Sequence, residues 1–194
     1  EIMNANPEKD PAKKDWTGVL NLGIGNNRIL SVGLGEPGRI RFDRDILEQR
    51  GLRAVIIFEA INDIGTSKAP DETSRQLIEA YHVMISKAKA RGLKVYMGTI
   101  TPFRGCKSYF TEEREKARKV VNDWIRTTKE IDGFIDFDAL MRDPSEPEQL
   151  RKEWQSGDWL HPNPDGYKMM GEFAAKQLSK QATPGNGFST VTVR

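Results

Sequence analysis

Short apolar runs alternate with longer amphipathic segments along this chain, and that alternation constrains its fold more than any other feature. The clearest run is Ala-Val-Ile-Ile-Phe at residues 54–58, which is uninterrupted and β-branched, as in a strand buried on both faces. Strands are predicted at residues 18–22, 54–58, 95–100 and 134–137. Helices are predicted at residues 39–49, 71–91, 111–129 and from just after Pro162 to about residue 181. This order implies parallel strands joined by right-handed crossovers, so the predicted class is α/β, with helices on both faces of a parallel sheet.

Length and charge favour one domain and argue against two classes of partner. The 194 residues, 37% of them hydrophobic, suffice for a single domain over residues 1–194, with a surface loop at 1–15 and a C-terminal tail at 182–194. The 30 basic and 28 acidic side chains are interspersed, so nucleic acid is not an expected partner. No apolar run approaches the roughly 20 residues of a bilayer span, so neither is a membrane. The lone Cys106 is interpreted as an ordinary thiol, since no histidine-centred motif surrounds it.

Three polar clusters follow predicted strands or precede the last predicted helix. They lie at residues 23–28, 59–63 and 158–163. In open parallel sheets, the loops beyond the carboxyl ends of the strands converge on one crevice. We therefore expect the three clusters to face a common pocket.

The third cluster contains the better of the two candidate bases. His161 stands in a loop before Pro162, and Asp158 precedes it by three residues. A carboxylate within reach of Nδ1 would fix the tautomer and leave Nε2 open to accept a proton from a nucleophile. A plain surface turn is the alternative for this motif alone, and no second histidine or carboxylate cluster supplies the ligands of a metal site. His82 lies within a predicted helix and is interpreted as an ordinary helical histidine.

The first two clusters offer hydrogen-bond donors for an anion. Asn62 follows the strand at 54–58, where its amide could point an N–H group into the crevice. The glycine-containing turn at residues 23–27 could add backbone N–H groups directed at the same point. Each feature alone is also compatible with ordinary turn chemistry. The three clusters in this order are more specific.

In these residues the chain resembles the SGNH (GDSL-like) hydrolases, which are named for a Ser, a Gly, an Asn and a His in separate sequence blocks. The likeness extends from about residue 19 to 175 and is strongest to the arylesterase and carbohydrate-acetylesterase branch. The second block reads Asn-Leu-Gly-Ile-Gly-Asn-Asn-Arg at residues 21–28. The third block, usually Gly-x-Asn-Asp, reads Ala-Ile-Asn-Asp at residues 60–63. The fifth block is Asp-Trp-Leu-His-Pro-Asn at residues 158–163, followed by Gly166 and Tyr167.

The resemblance implies a three-layer α/β/α, flavodoxin-like fold and a serine esterase without metal or organic cofactor. His161 would be the base, Asp158 would orient it, and Asn62 with the backbone N–H of Asn26 would form the oxyanion hole. The implied substrate is a small acyl ester or an acetylated carbohydrate, and the implied location is extracellular or periplasmic. The alternative function is a non-catalytic, carbohydrate-binding remnant of the same fold.

Two departures from the family pattern matter. Asn26 stands where the family has its oxyanion glycine, and asparagine is the residue next most tolerant of a left-handed backbone. The first block, a central strand followed by Gly-Asp-Ser, is not recognisable, because residues 1–15 are polar and no serine precedes Ser31. We expect a preceding segment of the natural protein to supply this strand and the serine. The alternatives are that the β-prone run at 188–193 enters the sheet with Ser189 as nucleophile, or that catalysis has been lost.

Overall fold

The computed structural model describes residues 18–181 and has the predicted α/β architecture. Its strands are β1 (Ala54–Ile57), β2 (Lys94–Gly98) and β3 (Gly133–Ile135). Its α-helices are α1 (Gly38–Phe42), α2 (Ile61–Gly65), α3 (Pro70–Ala90), α4 (Glu112–Thr127), α5 (Phe137–Met141) and α6 (Pro164–Gln181). A π-helical turn (Asp43–Leu47) continues α1, and a 3-10 turn (Lys152–Trp154) precedes α6.

The described strands form one parallel sheet in the order β1-β2-β3. Val55 pairs with Val95 across the first ladder, and Met97 pairs with Phe134 across the second. Because all three strands run the same way, their carboxyl ends lie together, and the segments that follow them, including α2 and α5, begin there. The candidate site lies beyond these carboxyl ends.

The larger hydrophobic core fills the face of the sheet covered by α3 and α4. Leu77 and Tyr81 of α3 and Val121 of α4 are fully buried in it, together with Val55 and Ile57 of β1. These side chains recur at three- and four-residue spacing on the helices and at two-residue spacing on the strand, as one buried face of each element requires. The amphipathic patterns at 71–91 and 111–129 therefore led to the correct elements.

The opposite face carries a smaller core built by α5 and α6. Ile135, Met141 and Met170 are buried in this second cluster. Successive strand residues point to opposite faces, so Phe58 lies on this side, where its ring centre is 4.7 Å from that of Phe137. Helices thus cover both faces of the sheet, as the resemblance implied.

The predicted strand at residues 18–22 is wrong in the described structure. These residues take no regular structure, and Val19 and Leu20 are 62% and 60% exposed. The physical reason is that a strand needs a neighbour, and the expected neighbour between this segment and β1 is not among residues 18–181. The apolar run is present, but no strand among the described residues lies beside it.

Three smaller differences concern element boundaries. The third predicted strand ends at Gly98, and the fourth ends at Ile135 because the Asp136 side chain accepts a hydrogen bond from the backbone N–H of Ala139 and begins α5. The helix predicted at 39–49 is divided between α1 and the π-helical turn. The predicted Thr111 cap is confirmed, since its hydroxyl accepts a hydrogen bond from the N–H of Arg114. The predictions for residues 1–15, for the tail at 182–194 and for Ser189 lie outside the described residues.

A groove of about 840 Å³ runs along the outer edge of β1. Residues 18–23 form its far wall, β1 forms its near wall, and Met84 of α3 and Leu178 of α6 also line it. We call this groove the strand slot. Among residues 18–181, no helix is long and apolar enough to cross a membrane.

Candidate active site

Asp158 and His161 form a hydrogen-bonded pair in the loop before α6, which we call the His161 loop (residues 155–163). Oδ2 of Asp158 lies 2.6 Å from Nδ1 of His161, and Oδ1 accepts hydrogen bonds from the backbone N–H groups of Leu160 and His161, each at 2.9 Å. The loop is closed by a hydrogen bond from the Ser156 N–H to the His161 carbonyl and by a left-handed backbone at Trp159 (φ +59°). A spacing of three residues therefore brings the two side chains together, as predicted.

The charge of Asp158 determines the tautomer of His161. Partial burial acts to raise the pKa of the Asp158 carboxyl, but hydrogen bonds from the His161 N–H, the His161 ring and the Leu160 N–H outweigh it and hold that pKa well below its usual range. An ionised carboxylate only accepts, so Nδ1 of His161 carries the hydrogen and donates it. Nε2 is then the basic nitrogen, and the side chain is 63% exposed. The pair has the arrangement of a general base with its orienting carboxylate.

Asn62 lies in α2, directly beyond the carboxyl end of β1. One hydrogen of its side-chain amide is donated to the carbonyl of Asn27 at 2.9 Å. The neighbouring Asp63 carboxylate accepts the backbone N–H groups of Ile29 and Leu30, also at 2.9 Å each. These three bonds hold the turn at residues 21–30 against α2, so the structure brings the second and third sequence blocks together.

Asn26 occupies the left-handed region with φ of +53°. This conformation fits the position, because asparagine adopts it more readily than other residues that carry a Cβ. The next residue, Asn27, is fully buried; its Oδ1 accepts two hydrogen bonds from Arg41, and its Nδ2 donates to the carbonyl of Glu36. In the described part of the chain, the N–H of Asn26 makes no backbone hydrogen bond and remains an available donor.

Ala60 is the first residue of the third block and stands where the family pattern has glycine. Its backbone has φ of +138° while its side chain is fully buried. A residue with a Cβ in such a region stores strain of about 1–3 kcal/mol. The strain lies at the turn that aims Asn62, between β1 and α2.

A segment that the sequence analysis missed connects the two halves of the site. Residues 105–109, in the loop after β2, contact both of them. Gly105 (φ +101°) lies under Trp159 so closely that a Cβ at this glycine would be 2.7 Å from Cγ of the indole. At the other end, the Tyr109 hydroxyl donates to Oδ1 of Asn62 at 2.8 Å. The only sequence signal for this segment is its place beyond the carboxyl end of a predicted strand.

The described residues contain the predicted base and the predicted oxyanion donors, but no serine bonded to the predicted base. Within residues 18–181, no serine hydroxyl forms a hydrogen bond with the imidazole of His161; Ser156 instead donates to Asp158 at 3.3 Å. His82 bonds to Glu130 at 2.7 Å on the exposed surface of α3, away from these components. The same part of the chain has no group of three or more His, Cys, Asp or Glu side chains that could hold a metal ion.

Comparisons with known proteins find a matching family model and several similar solved structures. The model of the GDSL-like lipase/acylhydrolase family matches residues 7–169. Similar solved structures include a GDSL-like lipase from Bacteroides thetaiotaomicron, with a TM-score of 0.60, 19% identity and coverage of 74% of this chain and 70% of that one. A protein described as an acylhydrolase from Bacteroides fragilis gives 0.59 at 23% identity, with coverage of 73% and 68%. A protein described as a lipolytic member of the G-D-S-L family from Desulfitobacterium hafniense gives 0.55 at 24% identity, with coverage of 72% for both chains. No curated protein sequence matches.

Proposed function

Because the chain belongs to the GDSL-like lipase/acylhydrolase family, whose name denotes hydrolases of ester bonds, we propose that it is a carboxylic-ester hydrolase working through an acyl-enzyme. The observation that carries the proposal is the Asp158–His161 pair, 2.6 Å apart, with Nε2 of the imidazole directed away from the carboxylate. The favoured substrates are small acyl esters, with acetyl groups on carbohydrate ahead of long lipids.

His161 is the general base and then the general acid. Its Nε2 takes the proton of a serine hydroxyl as the oxygen attacks the ester carbonyl, and it returns that proton to the departing alcohol. Throughout, Asp158 stays ionised, keeps the hydrogen on Nδ1 and stabilises the imidazolium. A water molecule activated by the same Nε2 then hydrolyses the acyl-enzyme.

Asn62 and Asn26 are the proposed oxyanion donors. The Asn62 amide has one hydrogen committed to the Asn27 carbonyl, and the second is available for the tetrahedral oxyanion. Asn26 directly precedes Asn27, whose carbonyl accepts the first hydrogen of the Asn62 amide. A single hydrogen bond therefore ties the Asn62 side chain to the turn that carries the Asn26 N–H. Donors fixed in this way stabilise charge that develops in the transition state without reorganising.

We further propose that a preceding chain segment enters the strand slot and supplies the serine. β1 is hydrogen-bonded to β2 along one edge, while its other edge faces the slot. Neighbouring strands lie about 4.8 Å apart, so a strand between β1 and residues 18–23 would satisfy backbone groups on both sides. Ile56 and Phe58 are each 43% exposed on the face shared with α6, and the chain that follows such a strand could cover them. A serine at its carboxyl end would emerge beside Asn62 and the His161 loop.

The test is hydrolysis of p-nitrophenyl acetate by the chain, alone and joined to an upstream segment carrying an apolar strand and Gly-Asp-Ser. Turnover is expected to disappear in His161→Ala and to persist in His82→Ala, a matched control that removes the other histidine. Equal rates of p-nitrophenyl acetate hydrolysis in the wild type and both variants, with and without the upstream segment, would overturn the esterase proposal and leave the carbohydrate-binding alternative. An intact-mass measurement of the purified sample shows whether such a segment already accompanies the chain.

A further inference from the structure

We propose that Tyr109 is a positioning residue for the oxyanion amide of Asn62, an inference that rests on the proposed esterase function. Tyr109 is 47 residues away from Asn62 in the chain, and its hydroxyl donates to Oδ1 of Asn62 at 2.8 Å. None of the sequence blocks of the resemblance includes it. Its role follows from the hydrogen bonds of a single carboxamide.

The Asn62 amide is held at both ends. Its Nδ2 donates to the Asn27 carbonyl, which can only accept, and its Oδ1 accepts from Tyr109. Together these bonds fix which end of the amide is NH₂ and how far the group can rotate about its last torsion. The remaining N–H is therefore directed by two anchors, one on each side. A hydrogen bond received at Oδ1 also polarises the amide and strengthens its N–H groups as donors.

The Tyr109 ring is itself fixed in place. A Cβ at the buried Gly65 of α2 would collide with the ring, so the tyrosine lies directly on the α2 backbone. Arg114 fastens the loop from the other side: its guanidinium donates to the Tyr109 carbonyl at 3.0 Å and to the Ser67 carbonyl at 2.8 Å. Burial raises the pKa of the Tyr109 phenol, an effect that nearby Arg28 opposes, so the hydroxyl keeps its hydrogen and remains a donor at neutral pH.

The same segment couples the amide to the base. Gly105, four residues earlier, supports the ring of Trp159 in the His161 loop. A shift of residues 105–109 would therefore move the oxyanion donor and the base together. Tyr109 lies at the end of this segment that contacts the oxyanion donor.

The decisive experiment is a double-mutant cycle between Tyr109→Phe and Asn62→Ala, in whichever form of the protein hydrolyses p-nitrophenyl acetate. Tyr109→Phe is expected to lower kcat about tenfold with little change in KM, because a donor displaced by a fraction of an ångström loses transition-state rather than ground-state contact. In the Asn62→Ala background the same change is expected to have no further effect. An equal loss in both backgrounds would overturn the proposal, since Tyr109 would then act by another route. Tyr167→Phe, which removes a hydroxyl from an exposed tyrosine, is the control and keeps full activity.

A second measurement does not depend on activity. In ¹⁵N-resolved NMR spectra, Tyr109→Phe is expected to shift the Asn62 side-chain amide resonances and to increase their exchange with water. Unchanged resonances would overturn the inference even if kcat fell. If the wild type has no esterase activity above His161→Ala, the proposed function fails and the spectra alone decide whether Tyr109 orders Asn62. Should Tyr109→Phe fail to fold, Gly65→Ala displaces the ring while keeping the phenol and is expected to give the same shifts.

Discussion

The end of the sheet built by β2 and β3, which we call the enclosed end, has a buried ion-pair network beside it. At the end built by β1, which we call the open end, one edge of the strand faces the strand slot within residues 18–181. At the enclosed end, Arg118 of α4 is 2% exposed and bonds to Glu115, to Asp138 and to the Ile100 carbonyl at 2.6–2.8 Å. At the open end, β1 faces the strand slot, with Ile56 43% exposed. Both ends belong to one parallel sheet, but within residues 18–181 the buried charges lie at one end and the groove lies at the other.

The two ends therefore separate a part of the fold that buried ion pairs hold together from a part that borders an open groove. At the enclosed end, buried and paired charges hold together α4, the segment after β2 and α5. The open end holds Asn62, and the groove beside it is where we propose that the nucleophile enters. The predicted oxyanion donor Asn62 thus lies beside the groove and not beside the buried charges.

The largest loss of stability is expected from removing the buried guanidinium of Arg118 at the enclosed end. Arg118→Ala leaves the buried Glu115 without its closest partner and leaves Asp138 with Arg126, at 2.6 Å, as its close partner. The substitution is expected to lower the free energy of unfolding by about 3–5 kcal/mol in urea titrations. Arg75→Ala, which breaks an exposed ion pair with Glu72, is the matched control and should leave the midpoint unchanged. Similar midpoints for the two variants would show that the network contributes little.

Glu59, at the open end, should make the free energy of unfolding depend on pH. Burial raises the pKa of its carboxyl from 4.5 to about 7, with Arg41 opposing and Asp63 adding to the shift. The folded state therefore keeps a proton that the unfolded state has released, so stability falls as the pH rises from about 4.5 to 7, by up to about 3 kcal/mol. Glu59→Gln should remove this fall.

The measurement for Glu59 is the free energy of unfolding of both proteins at pH 4.5, 6 and 8. Only the difference between them is informative, because other carboxylates titrate equally in each. Parallel pH profiles would mean that Glu59 ionises normally in the folded protein.

Ile56→Lys should separate the chain alone from the chain with an occupied strand slot. In the chain alone, the substitution changes a half-exposed side chain and is expected to cost less than about 1 kcal/mol. With the upstream strand joined, the site becomes covered, and the cost should rise by about 2 kcal/mol. Val83→Lys, on the exposed face of α3, is the control and should cost the same in both forms. No difference between the two forms for Ile56 would argue against occupation of the slot.

The smallest expected effect concerns the strained turn at Ala60. Ala60→Gly removes a strain of about 1–3 kcal/mol but also loses a buried methyl and adds freedom to the unfolded chain, so a net change between zero and a gain of about 1 kcal/mol is expected. Ala88→Gly, at an equally buried position inside α3, has no strain to relieve and should lose about 1–2 kcal/mol. Equal losses at the two positions would show that the φ of Ala60 stores no energy.

The sequence predicted those parts of the fold whose pattern is local. The strand at 54–58 and the helix at 71–91 carry a complete period of buried side chains, and the Asp158–His161 bond spans only three residues. Residues 18–22 have the composition of a strand, but strand formation also depends on a neighbouring strand, which the sequence of these residues does not specify. The pairing between strands had to be inferred from topology instead.

The missed parts of the site depend on contacts between distant residues. Tyr109 reaches Asn62 across 47 positions, and no residue type or spacing near Tyr109 announces that bond. Arg114 and Gly105 act through backbone carbonyls and close packing, which leave no motif in a single sequence. Asn26 and Asn62 could be assigned because the family blocks mark them, and their roles as oxyanion donors stay predictions.

The edge of β1 that lies along the strand slot also bears on how the chain behaves at high concentration. Within residues 18–181, this edge pairs with no other strand and is flanked by the exposed Ile56, and an edge of this kind is a template onto which another molecule's strand can add. Self-association through this edge would be reversible at first, concentration-dependent and suppressed by any peptide that reaches the edge before a second copy does. Light scattering along a dilution series would therefore show, with no substrate present, whether copies of the chain associate through this edge.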